Sequence, residues 1–421
     1  MVISKDKKEF SKNFIWNALG TGLNSCNSLF FLIIVTRING TEQAGMFSIG
    51  IAIGLILYTI ALYSGRVCHV TNINSKITDK DYILSRSITC VIMMILAIAI
   101  VILRRYSMIK AEIVLLICLF KCLEAFSDIF YGIMQKQDYL YKSGQSLFFK
   151  AIIGIIAFGL VDYLTYDLVL ALIILNIVNI VILLFHDIKF VEMIKEGNLI
   201  KEVSTKQNIL DIFKKEFFVF ANSFAGIYIL NASKYALDIY ETETVQAIFG
   251  YIMMPATVMI LFAQFLLLPF LNKFKKLFEE NKIREFDRLG IKIKISVFIF
   301  GIFAVLIAFL IGPEFLSFIY GVDLISYRVY LMIIISTYIL YSISYINLVI
   351  LTTMRKTFIQ FVVYLISILI AFITSNFFVK EYGIFGATVS IALTLTVQFV
   401  LYIMITKMII LKTIKKVEAS K

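Results

Sequence analysis

FFVFANSFAGIYILNASKYALDIY (Phe217–Tyr240), ETETVQA (Glu241–Ala247) and IFGYIMMPATVMILFAQFLLLPF (Ile248–Phe270) decide how the chain is read. The first and third segments are each long enough to cross a bilayer as a helix, which takes roughly 20 apolar residues. A short acidic connector joins them. The first segment carries a lone cation, Lys234. A Lys in such a run costs roughly 2.5–3.5 kcal/mol, so it is expected to face protein or water rather than lipid. The chain before this hairpin reads as one half of a membrane protein, and the chain after it as the other.

Composition points the same way. Of 421 residues, 60% are hydrophobic, 16% are charged and only 3 are Pro, with a mean hydropathy of +0.92. Soluble domains are nearer ~45–50% apolar and ~25% charged. A soluble multidomain enzyme is excluded, and the alternation of long apolar runs with short basic loops indicates an all-α polytopic membrane protein. The formal charge of +12 belongs to topology, as its distribution shows, so no nucleic-acid partner is expected.

Cys26, Cys68, Cys90, Cys118 and Cys122 form no spaced ligand motif and read as small buried hydrophobes. With only His69 and His186 beside them, no metal site and no cofactor are expected. The N-terminus is polar and basic, and the first apolar run lacks a small-residue cleavage site. It is expected to serve as an uncleaved signal-anchor.

About twelve spans are expected, near 13–36, 44–65, 86–103, 111–134, 146–162, 167–186, 216–237, 246–270, 290–312, 325–352, 359–379 and 383–406. They group as a six-helix bundle over 1–188, a solvated, Lys-rich cytoplasmic linker over 189–215, and a second six-helix bundle over 216–421. Placing the loops on alternate sides puts 32 of the 40 Lys and Arg on the side of the termini. The other side takes six, namely Arg37, Arg104, Arg105, Lys110, Arg328 and Lys380, and Lys121 and Lys234 lie within spans. Such asymmetry places both termini in the cytoplasm. The discordant loop is the one holding Arg104, Arg105 and Lys110.

Four stretches carry polar groups at membrane depth. In the first span Asn13, Asn17, Gly20, Thr21, Asn24, Asn27 and Ser28 recur at helical spacing on one face. They are either interhelical hydrogen-bonding groups or one wall of a hydrated, sugar-accommodating cavity. Arg37, in the turn that follows, is an interface anchor or a ligand contact. In the fourth span Lys121, Glu124 and Asp128 share a face that Tyr131 and Gln135 extend. Lipid exposure of three charges would cost roughly 8–10 kcal/mol, so the stripe points inward. It is either a self-satisfied ion-pair set or, because one Lys faces two carboxylates, a proton or cation site at Glu124 or Asp128. In the seventh span Lys234 either pairs with Asp238 at i,i+4 or binds substrate. Asn176 and Asn179 in the sixth span read as packing groups. Pro255 and Pro269 imply bends in the eighth span. No GxxxxGK[ST] occurs, so a nucleotide-driven pump is unsupported.

TEQAGMFSIG (41–50) follows the first span much as TVQAIFGYIM (244–253) follows the seventh. That echo fits two parallel repeats with a site near the midplane.

With these residues in view, the chain resembles the polysaccharide-transporter branch of the multidrug/oligosaccharidyl-lipid/polysaccharide (MOP) exporter superfamily. Val35–Gly50 is similar to the turn after the first helix of that family, Lys121–Ser143 to the fourth helix and its exit, and Asn231–Phe270 to the helix 7–8 hairpin. The resemblance implies two six-helix bundles around a central cavity open to one side at a time, and the flipping of lipid-linked oligosaccharides in bacterial envelope biosynthesis. Lipid II flippases of the superfamily show several Arg in the first two helices, whereas the first span here offers Asn.

The expected function is therefore a flippase, not an enzyme, in the plasma membrane of a bacterium. Its partners would be an undecaprenyl-diphosphate-linked saccharide or teichoic-acid-type precursor, membrane lipids, and H+ or Na+ as coupling ion. Asn17, Asn24, Arg37, Lys121 and Lys234 are the candidate cavity residues, and Glu124 and Asp128 the candidate coupling groups. A drug/cation antiporter of the same superfamily is the rival. A membrane glycosyltransferase or polymerase would need a larger exoplasmic loop than the sequence provides.

Overall fold

Gly40 and Gly383 account for how many times the chain crosses the membrane. The computed structural model describes residues 2–63, 65–71, 76–196 and 202–419. Helix α1 (Val2–Leu62) breaks at Gly40, with φ 85° and ψ −179°. Helix α13 (Thr357–Ala419) breaks at Gly383, with φ 54° and ψ −129°. Positive φ suits glycine because it has no Cβ to clash, so each long helix is two crossings joined at a kink. Between them lie α2 (Gly65–Thr71), α3 (Asp79–Arg104), α4 (Met108–Lys136), α5 (Leu140–Thr165), α6 (Leu168–Ile182), a π-helical turn (Leu183–Ile188) and α7 (Lys189–Ile194). Then come α8 (Lys206–Tyr240), α9 (Glu243–Leu267), α10 (Leu271–Glu279), α11 (Ile283–Tyr320) and α12 (Arg328–Thr353).

Eight stretches among the described residues are long and apolar enough to span a bilayer. Two of these are the kinked helices, each crossing twice, while α4 and α8 are as long but more charged. The total is twelve, as the sequence predicts.

Local sequence explains the ends. In the decisive hairpin α8 runs to Tyr240 and α9 begins at Glu243, so the connector is Glu241 and Thr242 alone. The Thr242 hydroxyl accepts from the Val245 amide at 3.4 Å, satisfying a donor that a helix start leaves orphaned. Thr78 caps α3 reciprocally with Asp81. Pro255 lies inside α9, and Pro269 sits in the short 3₁₀ turn Leu268–Phe270 that ends it. In the loop holding Arg104, Arg105 and Lys110, Lys110 is buried, its ammonium 4.4 Å from the Tyr106 ring centroid.

The chain divides into two compact units, Met1–Phe224 and Ala225–Lys421, the division falling inside α8. In the first, α1 packs along α5 and α4. Phe31 meets Phe158 and Phe120 at centroid distances of 4.9 and 6.2 Å. In the second, α12 packs against α9, α11 and α13. The most apolar stretch of α12 is 61% buried and that of α11 only 17%, so α12 is interior while α11 turns Phe298, Ile302, Phe303 and Leu306 outward. An outward apolar face of that extent is what lipid contact requires.

Candidate functional site

The α4 stripe is inward, as its charge demands. Lys121 Nζ donates to Glu124 Oε2 at 2.6 Å. Asp128 has its own cations: Arg66 Nε from α2 lies 3.3 Å away and Arg86 Nη2 from α3 lies 3.9 Å away. One Lys against two carboxylates, the balance expected from the sequence, is therefore corrected. Arg66 and Arg86 looked like loop cations because α2 and the start of α3 fold back onto α4, which linear spacing cannot show.

One turn further, Tyr131 links α4 to α5. Its hydroxyl lies 2.8 Å from Ser146 Oγ, and Lys150 Nζ donates to it at 3.1 Å. Lys150 also donates to Ser127 Oγ at 2.5 Å and to Asp187 Oδ2 at 2.6 Å. Asp187 sits on the π-helical turn and is buried, with His186 Nδ1 3.0 Å from its other oxygen. The i→i+5 bonding of the π-helical turn departs from the register of a regular helix, and Asp187 is buried within that turn.

A second polar hub lies in the same unit, where α3 begins and α4 ends. Asp79, buried at the start of α3, receives Lys136 at 2.8 Å, His69 Nε2 at 2.9 Å, and Lys195 from the segment after α7. Asp81 accepts from the Ser204 hydroxyl, from the Thr205 amide at 3.2 Å and from Asn208 at 2.8 Å. Burial works against the charge of Lys195, but its hydrogen bond to Asp79 and the charges of Asp79 and Glu202 raise its pKa. Burial, the largest influence on His69, lowers its pKa despite the hydrogen bond to Asp79.

The remaining predicted residues are scattered. Asn24 accepts from Asn27 at 3.1 Å, and Asn13 accepts from the Tyr141 amide at 2.8 Å. Those bonds are of the interhelical and intrahelical packing kind. Asn17 is half-buried where α1 crosses α5, and Arg37 is exposed just before the Gly40 kink. Lys234 is half-buried in the second unit, and among the described residues no carboxylate lies within ion-pair distance of it, Asp238 included. Asn176 donates to the Leu116 carbonyl at 3.1 Å, and Asn179 to that of Leu175 at 2.8 Å, both in packing roles.

Besides the pairings of Asp128, Asp187, Asp79 and Asp81, sequence reasoning missed two further features. Ser390, Thr394, Gln398, Tyr402 and Thr406 are all buried on one face of the second half of α13, and the Tyr402 ring is 6.3 Å from that of Tyr364. Their four-residue period was the available signal. Two buried carboxylates also escaped it. Asp162 accepts from Asn39 at 3.0 Å, and Glu216 lies 3.5 Å from the Tyr82 hydroxyl.

No family model matches the chain. It is 25% identical over 410 residues to the Staphylococcus aureus capsular polysaccharide biosynthesis protein CapF, covering 93% of this chain and 98% of that one. Among solved structures, the lipid II flippase MurJ in an inward closed conformation superposes with a TM-score of 0.68 at 14% identity, over 95% of this chain and 90% of that one. An inward-facing multidrug resistance MATE family transporter superposes with a TM-score of 0.65 at 12% identity, over 95% and 99%. The chain has the fold of the MOP superfamily of membrane transporters. Its resemblance to the polysaccharide-transporter branch of that superfamily is borne out by the match to CapF.

Proposed function

We propose that the chain is a flippase carrying an undecaprenyl-diphosphate-linked saccharide, or a teichoic-acid-type precursor, from the cytoplasmic to the outer leaflet by alternating access. The observation that carries this reading is the similarity to CapF, which extends over nearly the whole of both chains. The fold shared with MurJ supports it, since that fold accommodates a lipid-linked saccharide. The protein would reside in the plasma membrane with both termini cytoplasmic, which the Lys and Arg distribution supports.

Lys234 is the proposed phosphate contact: a half-buried ammonium without a carboxylate partner is a point charge available to an anion. Asn17, Asn24, Arg37 and Lys121 remain proposed cavity contacts. Glu124 and Asp128 would serve coupling by exchanging ion-pair partners, because both are already paired. The drug/cation antiporter reading draws on the fold shared with MATE transporters.

Depletion in the native cell separates the two. The flippase reading predicts that lipid-linked saccharide accumulates on the cytoplasmic face while drug susceptibility is unchanged. The reverse pattern would favour the antiporter.

A further inference from the structure

We propose that Glu216 is a proton-exchange site, and that Arg86 is a cation that Glu216 and Asp128 compete for. Glu216 lies in the third turn of α8 and its side chain is buried. Its one hydrogen bond is at the limit of such contacts, the Tyr82 hydroxyl at 3.5 Å. Its second oxygen, Oε2, is buried with no partner. No cation lies within ion-pair distance of it among the described residues. Glu124, Asp128 and Asp187 each have one: Glu124 has Lys121, Asp128 has Arg66, and Asp187 has Lys150.

The missing partner is close at hand. Arg86 stands one helical turn beyond Tyr82 on the same face of α3, within electrostatic reach of Glu216. Its guanidinium is buried, and its Nη1 has no acceptor. Its other terminal nitrogen is only loosely held, 3.9 Å from Asp128, while Arg66 holds the same carboxylate at 3.3 Å. Two guanidiniums thus serve Asp128 and none serves Glu216. A buried donor and a buried acceptor left unsatisfied are each costly, and one side-chain movement would satisfy both.

Protonation decides which arrangement holds. As the neutral acid, Glu216 buries no charge and leaves Arg86 with Asp128. On losing its proton to water it becomes a buried carboxylate and draws Arg86 across, leaving Asp128 on Arg66 alone. The four groups then pass from a net charge of plus one to zero, and one proton leaves. Among the described residues no other neighbour substitutes for Arg86. Tyr63, just after α1, and Cys68 in α2 interact with Glu216 without bringing a positive charge, and Lys215 in α8 is exposed. One carboxylate and one phenol are too few oxygens to hold a metal cation, so the ligand is a proton. Because Arg86 belongs to α3, Asp128 to α4 and Glu216 to α8, each proton changes which helix α3 is tied to. This holds whatever the cargo.

The test is a pH titration by infrared difference spectroscopy of the full-length protein in nanodiscs. Wild type should show a protonated-carboxyl band that disappears in a single step, and Glu216→Gln should lose that band while Asp162→Asn keeps it. Asp128→Asn releases Arg86 toward Glu216 and should lower the midpoint by on the order of one pH unit, a tenfold change in proton affinity. Arg86→Gln should raise it by a similar amount. A band that titrates unchanged in Glu216→Gln overturns the proposal. So does a midpoint that Asp128→Asn leaves in place or raises, which decides the matter even if Arg86→Gln does not fold.

Discussion

A Cβ on Gly20 would lie 2.2 Å from the carbonyl oxygen of Gly144. The backbones of α1 and α5 touch there, as small residues allow in membrane bundles. From Gly144 the reverse view is the same, with a Cβ 2.4 Å from the backbone of Trp16. Backbone cannot swing aside as a side chain can. Gly144→Ala should therefore lower stability by about 3 kcal/mol or more. Gly22→Ala, two residues along α1 with nothing within 4 Å of its Cβ position, should be tolerated. Thermal unfolding in detergent compares them, and equal melting temperatures would refute the close crossing.

Lys150 and Asp187 form a buried ion pair that ties α5 to the π-helical turn. Removing one partner strands the other charge away from water. Lys150→Met should cost about 3–5 kcal/mol. The double variant Lys150→Met with Asp187→Leu should recover most of the loss, since a well-packed apolar pair replaces a buried ion pair at little cost. Failure of the second change to rescue the first would show that Lys150 serves something other than this pair.

His69 sets a pH dependence. Burial lowers its pKa below 6.5 in the folded protein, against the opposing bond to Asp79. The unfolded chain then binds the proton more readily, so this contribution to stability is complete above pH 6.5 and is lost as pH falls through the lowered folded value. Acidification should destabilise wild type in that window, and His69→Gln should flatten the slope. An identical slope in the variant would assign the effect to other groups.

The charge distribution predicts that 66–86, 135–145, 187–215 and 271–289 are cytoplasmic. Position 200, the obvious probe of the central segment, lies outside the described residues, so Lys275 in α10 serves instead, its side chain 72% exposed. In a Cys-free background, Lys275→Cys should react with an impermeant maleimide only after permeabilisation. Tyr166→Cys, 66% exposed after α5, should react in intact cells. Exchange of the two outcomes would invert the topology.

The fold was legible because hydropathy and Lys/Arg placement act over whole segments. Twelve apolar runs survive an error of several residues at each end: the kink at Gly40 falls in the expected turn, and that at Gly383 on the first residue of the expected last span. The site was less legible because ion pairing is decided across helices. Lys121 with Glu124 could be read from i,i+3 spacing, whereas Arg66 and Arg86 reach Asp128 only through the packing of α2 and α3 on α4. The i,i+4 spacing of Lys234 and Asp238 permits a pair that does not form. Asp187 was hidden by a π-turn, whose register the helical period does not describe.

The central claim is the movement of a lipid-linked saccharide, and Lys234 is its most exposed residue-level consequence. In proteoliposomes holding a fluorescently tagged undecaprenyl-diphosphate saccharide, an impermeant quencher reads the fraction of label reaching the outer leaflet. Wild type should bring nearly all of the label within reach. Lys234→Ala should slow this at least about tenfold, the loss expected from one charge-assisted contact of 1.5–3 kcal/mol, and Lys234→Arg should retain much of it. An Asp238→Lys/Lys234→Asp swap should not restore activity. If protected label is the same in wild-type and protein-free vesicles, while a fluorescent organic cation is moved by an imposed ion gradient, the flippase account is wrong.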